Sequence, residues 1–300
     1  MEYIILDLEW DSIYFKSQKR FINEILQIGA VRLDKDFNIK DTLSINIRSA
    51  LAKKVSTRFS KLTGITNEIM LNGVSLNEAI KQYNNFCEGA EVTMSWSNSD
   101  LYTIIENSEN LIHDGTTFAL NKYLDLQKLV QNTLKNKGYE SRNQISLEAA
   151  AQMMDIDTEQ YSLHTALDDC TVSAQLFKLC YDKKLFDSLL KDATKPEFYA
   201  RLKFKPYSIS DINDSNIKRE QMEFNCPNCS GKTVRLTPFK YRNRWFCANF
   251  KCEKCNFKFN GRVAFKKTYD EVKIKYKVCE LKSKPAQQKG EKPTPTIKLN

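Results

Sequence analysis

The first ten residues constrain the fold most, because an apolar run ends there in two acids separated by one residue, Asp7 and Glu9. A β-strand repeats every two residues, so both carboxylates are predicted on one face of a strand. The alternate aliphatic side chains enter the opposite layer: Ile4, Leu6 and Leu8. Carboxylates this close repel each other unless a cation lies between them, and Mg²⁺ or Mn²⁺ prefers oxygen ligands. The pattern is short and common, and it also describes a strand that ends in solvated acids.

The chain is predicted to open with a three-stranded antiparallel meander. Residues 1–10 form the first strand, and residues 24–33 carry a second apolar run of strand length. Polar residues 34–38 supply a hairpin turn before a third strand over 39–47. Residues 11–19 are polar and are predicted as a turn or loop. Helices and short strands follow, so the predicted fold class is α/β with a mixed sheet and flanking helices.

Two later segments place polar residues at the ends of predicted elements. A short strand over 91–96 leads directly into Asp100, and site residues gather at this end of a strand in an α/β sheet. Residues 162–181 predict a terminal helix whose apolar side chains recur at three- and four-residue steps. Asp169 lies off that apolar stripe, and His164 lies at the helix entrance.

The net charge of +9 conceals two parts of opposite charge. Residues 1–200 contain 22 Lys and Arg against 28 Asp and Glu, whereas residues 201–300 contain 24 against 9. Concentrated positive charge indicates a surface that meets nucleic acid or another polyanion, although a disordered basic tail gives the same numbers. The sequence shows no apolar run long enough to span a bilayer and no secretory signal, so we expect a soluble, cytoplasmic protein.

Five separated segments together resemble the DEDDh 3'-to-5' exonucleases, most closely the ERI-1-like branch, which mostly processes RNA ends. The segments are Leu6-Asp-Leu-Glu9, Gln27-Ile-Gly-Ala30, Leu62-Thr-Gly-Ile-Thr66, Asp100 and His164-Thr-Ala-Leu-Asp-Asp169. The third segment carries no chemistry of its own and is expected to frame the substrate pocket. The resemblance covers about residues 1–185 and implies an RNase H-like exonuclease fold. The spaced combination is far more specific than any single segment.

Carried over position by position, the resemblance implies that four carboxylates bind two Mg²⁺ or Mn²⁺ ions: Asp7, Glu9, Asp100 and Asp169. It also implies that His164 is the general base. The chemistry of these residue types agrees, because paired cations about 4 Å apart stabilise both the attacking and the leaving oxygen of a displacement at phosphorus. An imidazole, whose ordinary pKa is near 6.5, accepts a proton from water at neutral pH.

Neighbouring residues have weaker claims to a role. His113 stands in a polar stretch without a partner at ligand spacing and is interpreted as a surface histidine. Asp168 points about 100° away from Asp169 on a helix, and the family spacing selects Asp169. Asp11 shares a face with Glu9 only if the strand continues, and a loop is expected to begin there.

Two Cys-x-x-Cys pairs in the last hundred residues predict a zinc ribbon. The first pair is Cys226 and Cys229, the second is Cys252 and Cys255, and together they can supply the four thiolates of one structural Zn²⁺ site. A redox pair is the competing interpretation, and the doubling of the pairs without a thioredoxin-like pattern argues against it. Cys247 is interpreted as a packing residue that could displace Cys252 as a ligand.

Basic and aromatic residues alternate around the cysteine pairs. Such a surface can neutralise phosphates and stack bases, although in a domain this small the aromatic residues are expected mostly to form the core. The candidate nucleic-acid contacts are Lys240, Arg242, Arg244, Lys258, Arg262, Lys266 and Lys267.

The predicted organisation has four parts: an exonuclease domain over 1–185, a linker over 186–222, a basic zinc-ribbon domain over 223–280 and a disordered basic tail over 281–300. The favoured function is a two-metal exonuclease that acts on the 3' ends of RNA. Because no motif reveals a contact to the 2'-hydroxyl, a DNA exonuclease in repair or defence stays open. So does a nucleic-acid-binding adaptor without catalysis, against which the complete set of site residues argues. The sequence names no protein partner.

Overall fold

A computed structural model of the chain describes residues 1–139 and 143–281, which fold as two compact units. The first unit is Met1–Lys203, and the second begins at Phe204. Apart from Leu281, the predicted basic tail lies outside the described residues. Within the described part of the chain, no helix combines the length and the hydropathy that crossing a membrane requires.

The first unit is built on a six-stranded mixed sheet with the strand order β3-β2-β1-β4-β5-β6. β1 pairs with β2 in antiparallel and with β4 in parallel orientation, and the β4–β5 pair is also parallel. This is the mixed sheet with an antiparallel opening that the sequence predicts. The strands are β1 (Tyr3–Phe15), β2 (Arg20–Leu33), β3 (Ile39–Asn46), β4 (Val92–Ser95), β5 (Lys122–Asp125) and β6 (Lys191–Asp192).

Helices cover both faces of this sheet. Side-chain caps begin several of them, for example Ser75, whose hydroxyl accepts the Glu78 N–H at the start of α3. The helices are α1 (Thr57–Thr63), α2 (Asn67–Leu71), α3 (Leu76–Phe86), α4 (Ser99–Leu111), α5 (Leu126–Asn136), α6 (Leu147–Met153), α7 (Ala166–Cys180), α8 (Lys183–Leu189) and α9 (Pro196–Lys203).

The alternation along β1 divides the core into two layers. Ile4, Leu6 and Leu8 pack with α3 and α4 on one face of the sheet, as predicted. Tyr3 and Ile5 pack with α5, α6 and α7 on the other face. The odd-numbered side chains of β1 therefore face α7, and Asp7 and Glu9 follow Tyr3 and Ile5 on this same face.

The N-terminal end of α7 lies unusually close to β2. A Cβ atom built on Gly29 would be 2.4 Å from the backbone carbon of Ala166, so only glycine permits this approach. Gln27 accepts the Ala166 N–H through its side-chain oxygen at 3.3 Å. The Cys170 thiol donates to the Gly29 carbonyl at 3.4 Å. These contacts explain why the segment 27–30 matters, although it contains no catalytic group.

The loop predicted at residues 11–19 is wrong over its first half, because β1 continues to Phe15. Residues Asp11 to Phe15 pair with Arg20 to Glu24, so a long hairpin projects beyond the acids. The register shifts between Glu9 and Trp10. Polar residues in this extension do not end the strand, because the paired strand satisfies their backbone groups.

The second unit is a small β domain whose sheet contains the path β12-β11-β10-β8. β9 pairs with β10, and β7 pairs with β11. Phenylalanines dominate its core, among them Phe246, Phe250, Phe259 and Phe265. The strands are β7 (Tyr207–Ser208), β8 (Thr233–Arg235), β9 (Lys240–Arg242), β10 (Trp245–Cys252), β11 (Lys258–Lys267) and β12 (Val272–Glu280).

The structure differs from the linker predicted over 186–222. The helices α8 and α9 and the strand β6 belong to the first unit, whereas β7 and the following segment belong to the second. Four apolar side chains of this region are buried: Phe186, Ala193, Ile209 and Met222. The prediction of a linker rests on a composition rich in Lys, Asp and Ser. Composition is an average over the segment, so it does not reveal the individual side chains that are buried.

We predict that Gly29→Ala destabilises the first unit by about 1–3 kcal/mol, the usual cost of overpacking. The added methyl group meets the backbone of Ala166, which cannot move aside like the end of a flexible side chain. Urea unfolding of the full chain measures the change. An unchanged free energy of unfolding would show that α7 is free to shift at no cost.

Candidate functional site

Three carboxylates from two elements converge beside β1. Asp7 and Glu9 lie on the same face of the strand as Tyr3 and Ile5, and Asp169 extends from the first turn of α7. One oxygen from each of the three lies within 4.8 Å of the other two. All three side chains are partly buried. The close packing of α7 on Gly29 is what brings residue 169 to the first strand.

Asp100 joins the same site from α4. It lies in the first turn of that helix, directly after β4, and its side chain is buried with 3% exposure. Its Oδ1 accepts the backbone N–H of Leu8 at 3.1 Å. Because Leu8 stands between Asp7 and Glu9 in the chain, this bond holds Asp100 against the strand segment that carries the other acids.

His164 lies at the edge of the site and is exposed. Its backbone has φ 78°, a left-handed conformation that a non-glycine residue adopts at a cost of about 1 kcal/mol or more. In this turn the His164 N–H donates to Asp169 Oδ1 at 3.3 Å. The backbone therefore holds the histidine beside Asp169 while the residue stays accessible to water.

The acids repel one another. Burial, reinforced by Asp100, Asp169 and Glu9, raises the pKa of Asp7 well above its ordinary value. Burial, with the charges of Asp169 and Asp100, raises the pKa of Glu9 to about 8. Burial also raises the pKa of Asp100 to about 7.

This charge arrangement fits divalent cations. Among the described residues, no Lys or Arg forms an ion pair with any of these four carboxylates. Oxygen ligands held this close without a counter-charge are what Mg²⁺ and Mn²⁺ bind. The donor set contains carboxylates and no thiol, so it does not favour a soft metal.

The other candidate side chains have structural partners or lie on the surface. The Asp11 carboxylate is buried and accepts the Ser56 N–H at 2.6 Å and the Ser56 hydroxyl at 2.9 Å, at the residue that caps α1. Asp168 accepts the Ser162 N–H at 3.0 Å and the Thr165 hydroxyl at 2.9 Å, at the start of α7. His113 is exposed, as predicted.

Four cysteines of the second unit form a separate cluster. The Sγ atoms of Cys226, Cys229, Cys252 and Cys255 all lie within 4.8 Å of one another. The Cys226–Cys255 and Cys229–Cys252 sulfur pairs are 3.6 Å and 3.5 Å apart. Sulfurs at the corners of a tetrahedron around Zn²⁺, with Zn–S bonds of about 2.3 Å, lie about 3.8 Å apart. The cluster therefore fits a closed four-thiolate zinc site.

Backbone groups support the thiolates of this cluster. The N–H groups of Asn228 and Cys255 donate to Cys226 Sγ and Cys252 Sγ, each at 3.4 Å. The backbone N–H of Phe257 lowers the pKa of Cys255 to about 6. A thiol with a lowered pKa is ready to bind metal as the thiolate.

Cys247 is not among the four clustered cysteines. It lies on β10 five residues before Cys252, on the half-exposed side of the strand, whereas the Cys252 side chain is buried. The odd spacing between the two cysteines places them on opposite faces. In this geometry Cys252 is the cluster member and Cys247 neither replaces it nor packs in the core.

The predicted basic contacts lie mostly on one face of the second sheet. On β10 and β11 buried side chains alternate with half-exposed or exposed ones, and the pairing of β9, β10 and β11 aligns the open positions. We name the open side the cationic face. Arg244 lies in the turn before β10, and Lys267 lies on the opposite side. The predicted residues on the cationic face are Lys240, Arg242, Lys258, Arg262 and Lys266.

Comparison with known sequences gives a family match and distant relatives. The model of an exonuclease family, RNase_T, matches residues 6–177. A DNA polymerase III PolC-type protein of Thermotoga petrophila is 28% identical over 159 residues, which are 52% of this chain and 10% of that protein. The corresponding protein of Thermotoga maritima is 27% identical over 191 residues, 58% of this chain and 13% of that protein. The chain thus spans about a tenth of the length of the curated relatives it matches.

Solved structures share the fold of the first unit at low identity. The nuclease domain of 3'hExo, a DEDDh family member bound to rAMP, has a TM-score of 0.50 and 18% identity, with 59% of this chain and 90% of that chain covered. A 3'-exonuclease that recognises the 3' end of a histone mRNA stem-loop has a TM-score of 0.50 and 18% identity, with 64% of this chain and 84% of that chain covered. At this identity the likeness concerns the fold, and it agrees with the RNase H-like architecture predicted from the sequence.

We predict that divalent cations stabilise the first unit more at pH 8 than at pH 6. Because the folded-state pKa values of Glu9 and Asp100 are raised to about 8 and about 7, the metal-free fold binds more protons than the unfolded chain between about pH 4.5 and 8. Its stability therefore falls as pH rises through this window, and bound cations oppose the loss. Thermal unfolding with and without Mg²⁺ or Mn²⁺ at both pH values measures the difference. A cation effect that Asp7→Asn leaves intact would assign it to another site.

We predict that Cys226→Ser releases the metal of the second unit, because one thiolate of a closed tetrahedral site is lost. Zinc content by elemental analysis, together with near-ultraviolet circular dichroism, measures the loss. Cys247→Ser is the matched control, since Cys247 lies outside the cluster. Equal zinc content in the two variants would refute the assignment of the four ligands.

Proposed function

Since the chain belongs to the exonuclease family whose model matches residues 6–177, we propose that it is a 3'-to-5' exonuclease, with the 3' ends of RNA as the favoured substrate. One observation carries the proposal. Asp7, Glu9 and Asp169 meet within 4.8 Å, with Asp100 bonded to the intervening strand residue and His164 bonded to Asp169. Residues from widely separated parts of the chain form one site in which every member has a chemical use.

Four carboxylates hold the cations in this proposal: Asp7, Glu9, Asp100 and Asp169. Two bound Mg²⁺ or Mn²⁺ ions would supply the positive charge that stabilises the attacking and leaving oxygens during in-line displacement at the phosphodiester. Among the described residues, no Lys or Arg pairs with these acids, so bound cations would supply the positive charge that the carboxylates lack. Burial, together with the charges of the neighbouring acids, raises the pKa values of these carboxylates, and bound cations would favour their charged forms.

His164 acts as the general base in this proposal. A water molecule that attacks phosphorus must lose a proton, and an exposed imidazole beside the acid cluster can accept it near neutral pH. The bond from the His164 backbone N–H to Asp169 holds this residue next to the carboxylates. The left-handed backbone at His164 supports a functional role, because strain of this kind persists where the surrounding structure requires it.

DNA is the second candidate substrate, and the sequence relatives favour it. The two Thermotoga proteins are DNA polymerases by name and are more similar in sequence to this chain than the RNA-related structures are. The RNA preference is supported by the resemblance to the ERI-1-like branch and by the ligands of two structural neighbours, rAMP and a histone mRNA stem-loop. Both substrates leave the catalytic roles unchanged.

We predict that Asp7→Asn and His164→Ala each reduce nucleotide release by about 100-fold or more, the usual contribution of a general base or of a cation-binding acid. The assay uses single- and double-stranded RNA and DNA labelled at either end, with Mg²⁺ and with Mn²⁺. Asp168→Asn is the matched control, because this carboxylate is adjacent in sequence but accepts the Ser162 N–H and the Thr165 hydroxyl instead of joining the cluster. Full activity in the well-folded Asp7 and His164 variants would reject the proposal.

A further inference from the structure

The cationic face extends beyond the residues that sequence patterning suggests. β12 pairs with β11 so that Lys273 stands opposite Lys266 and Lys277 stands opposite Arg262. Lys275 occupies the position between them on the same side of β12 and is exposed. β12 therefore adds three lysines at alternate positions, about 6.7 Å apart along the strand.

Like charges face each other across this sheet. Between β11 and β12, Lys266 lies opposite Lys273, and Arg262 lies opposite Lys277. Between β11 and β10, on the same face of the sheet, Lys258 lies opposite Lys251. Like-charged side chains directly opposite each other on a sheet destabilise it. The strand positions of this face carry no acid in the described residues, and the one ion pair that its cations form there joins Lys273 to Glu271 at 3.7 Å. A bound polyanion would remove this repulsion.

A cavity opens on the same face. It has a volume of roughly 480 Å³. An indole ring, two guanidinium groups, two amides and one carboxylate, that of Glu280, line it. The two arginines outnumber the one acid, so a ligand could stack on the aromatic surface and be held by the guanidinium groups at the same time. The lining residues that matter here are Trp245, Arg242, Arg262 and Asn260.

The cavity is in part pre-organised. Asn260 accepts the Arg262 Nε–H at 2.9 Å and donates to the Asn249 side chain at 3.0 Å. Arg262 is thereby held in the cavity wall, while its terminal nitrogens have no ion-pair partner among residues 204–281. Trp245 is half-exposed, unlike the buried Phe246 next to it. The open part of the indole ring in a cavity that also contains two arginines suits a stacked base.

We propose that the cationic face binds a single strand of nucleic acid, with its phosphates along the lysines of β12 and one base stacked on Trp245. Charge complementarity identifies a polyanion, and the aromatic cavity between two arginines favours a nucleic-acid strand over an acidic protein segment or an anionic membrane. The inference rests on the proposed function only for the kind of polymer that the chain meets. It places a second binding surface outside the acid cluster.

The test measures the binding of a 5'-labelled 30-nucleotide single strand to the full, zinc-loaded chain by fluorescence anisotropy. All proteins carry Asp7→Asn, so that the strand stays intact during the measurement. The first variant combines Lys273→Gln, Lys275→Gln and Lys277→Gln. The matched control combines Lys218→Gln, Lys232→Gln and Lys254→Gln, three exposed lysines of the same unit that lie off this face. Both variants remove the same charge, so an effect of net charge alone would be equal in the two.

We expect the β12 variant to weaken binding about ten-fold or more and to reduce the slope of log Kd against log salt by about 2, because roughly 0.7 counterions are released per neutralised phosphate. The control should stay within about two-fold of the parent. The β12 variant should also be at least as thermally stable as the parent at low salt, because it loses the like-charge pairs. Equal binding by the two variants would overturn the proposal.

The Trp245 position tests the stacked base. We expect Trp245→Ala to weaken binding about five-fold or more, and Trp245→Phe to retain most of the affinity, because any aromatic ring can stack. Equal affinities of these two variants would overturn the stacking. Tighter binding to anionic vesicles or to poly-glutamate than to the single strand would also overturn the proposal in favour of those partners.

Failure of this proposal is distinguishable from failure of the proposed function. Nucleotide release by the chain with Asp7 intact is scored separately on the same labelled strand. Release without any effect of the β12 variant on binding rejects the cationic face alone. Loss of binding in the β12 variant, with no release by the chain with Asp7 intact, supports the face and rejects the exonuclease assignment.

Discussion

The contact between the start of α7 and the middle of β2 is the constraint on which the arrangement of the acid cluster depends. Gly29 leaves room for the backbone of Ala166, and Gln27 receives the first free N–H of the helix. Asp169 follows within one helical turn, so the distance between strand and helix determines whether it can reach Asp7. A single methyl group at position 29 would occupy the space that this approach requires. The glycine is therefore part of the site without any chemistry of its own.

Burying several carboxylates close together costs free energy, and other interactions of the first unit have to offset this cost. Four acids lie together without a basic partner among the described residues, and their raised pKa values express the cost. Backbone donors offset a part of it: the Leu8 N–H binds Asp100, and the His164 N–H binds Asp169. Two well-packed layers on either side of the sheet provide the remaining stability. Cations complete such a site, because they replace repulsion with coordination.

In the second unit, the hydrophobic core covers only one face of the small sheet. Its phenylalanine core fills that face, and the four-cysteine cluster fastens the turns at one end of the domain. The other face holds cations at six of the nine open strand positions of β11 and β12. Stability alone does not favour this pattern, because like charges meet across the strands. A bound polyanion would neutralise these cations, so the pattern indicates a surface that binds one.

The sequence by itself determined the features that depend on local periodicity. The period of two placed Asp7 and Glu9 on one face, helical geometry separated Asp169 from Asp168, and the spacing of the Cys-x-x-Cys pairs identified the four clustered thiols. Only the tertiary structure decided which polar residues serve the fold. Asp11 is held by Ser56, 45 residues later in the chain, and the lysines of β12 join the cationic face through strand register. Partners this distant are chosen by packing and pairing, which local sequence patterns do not encode.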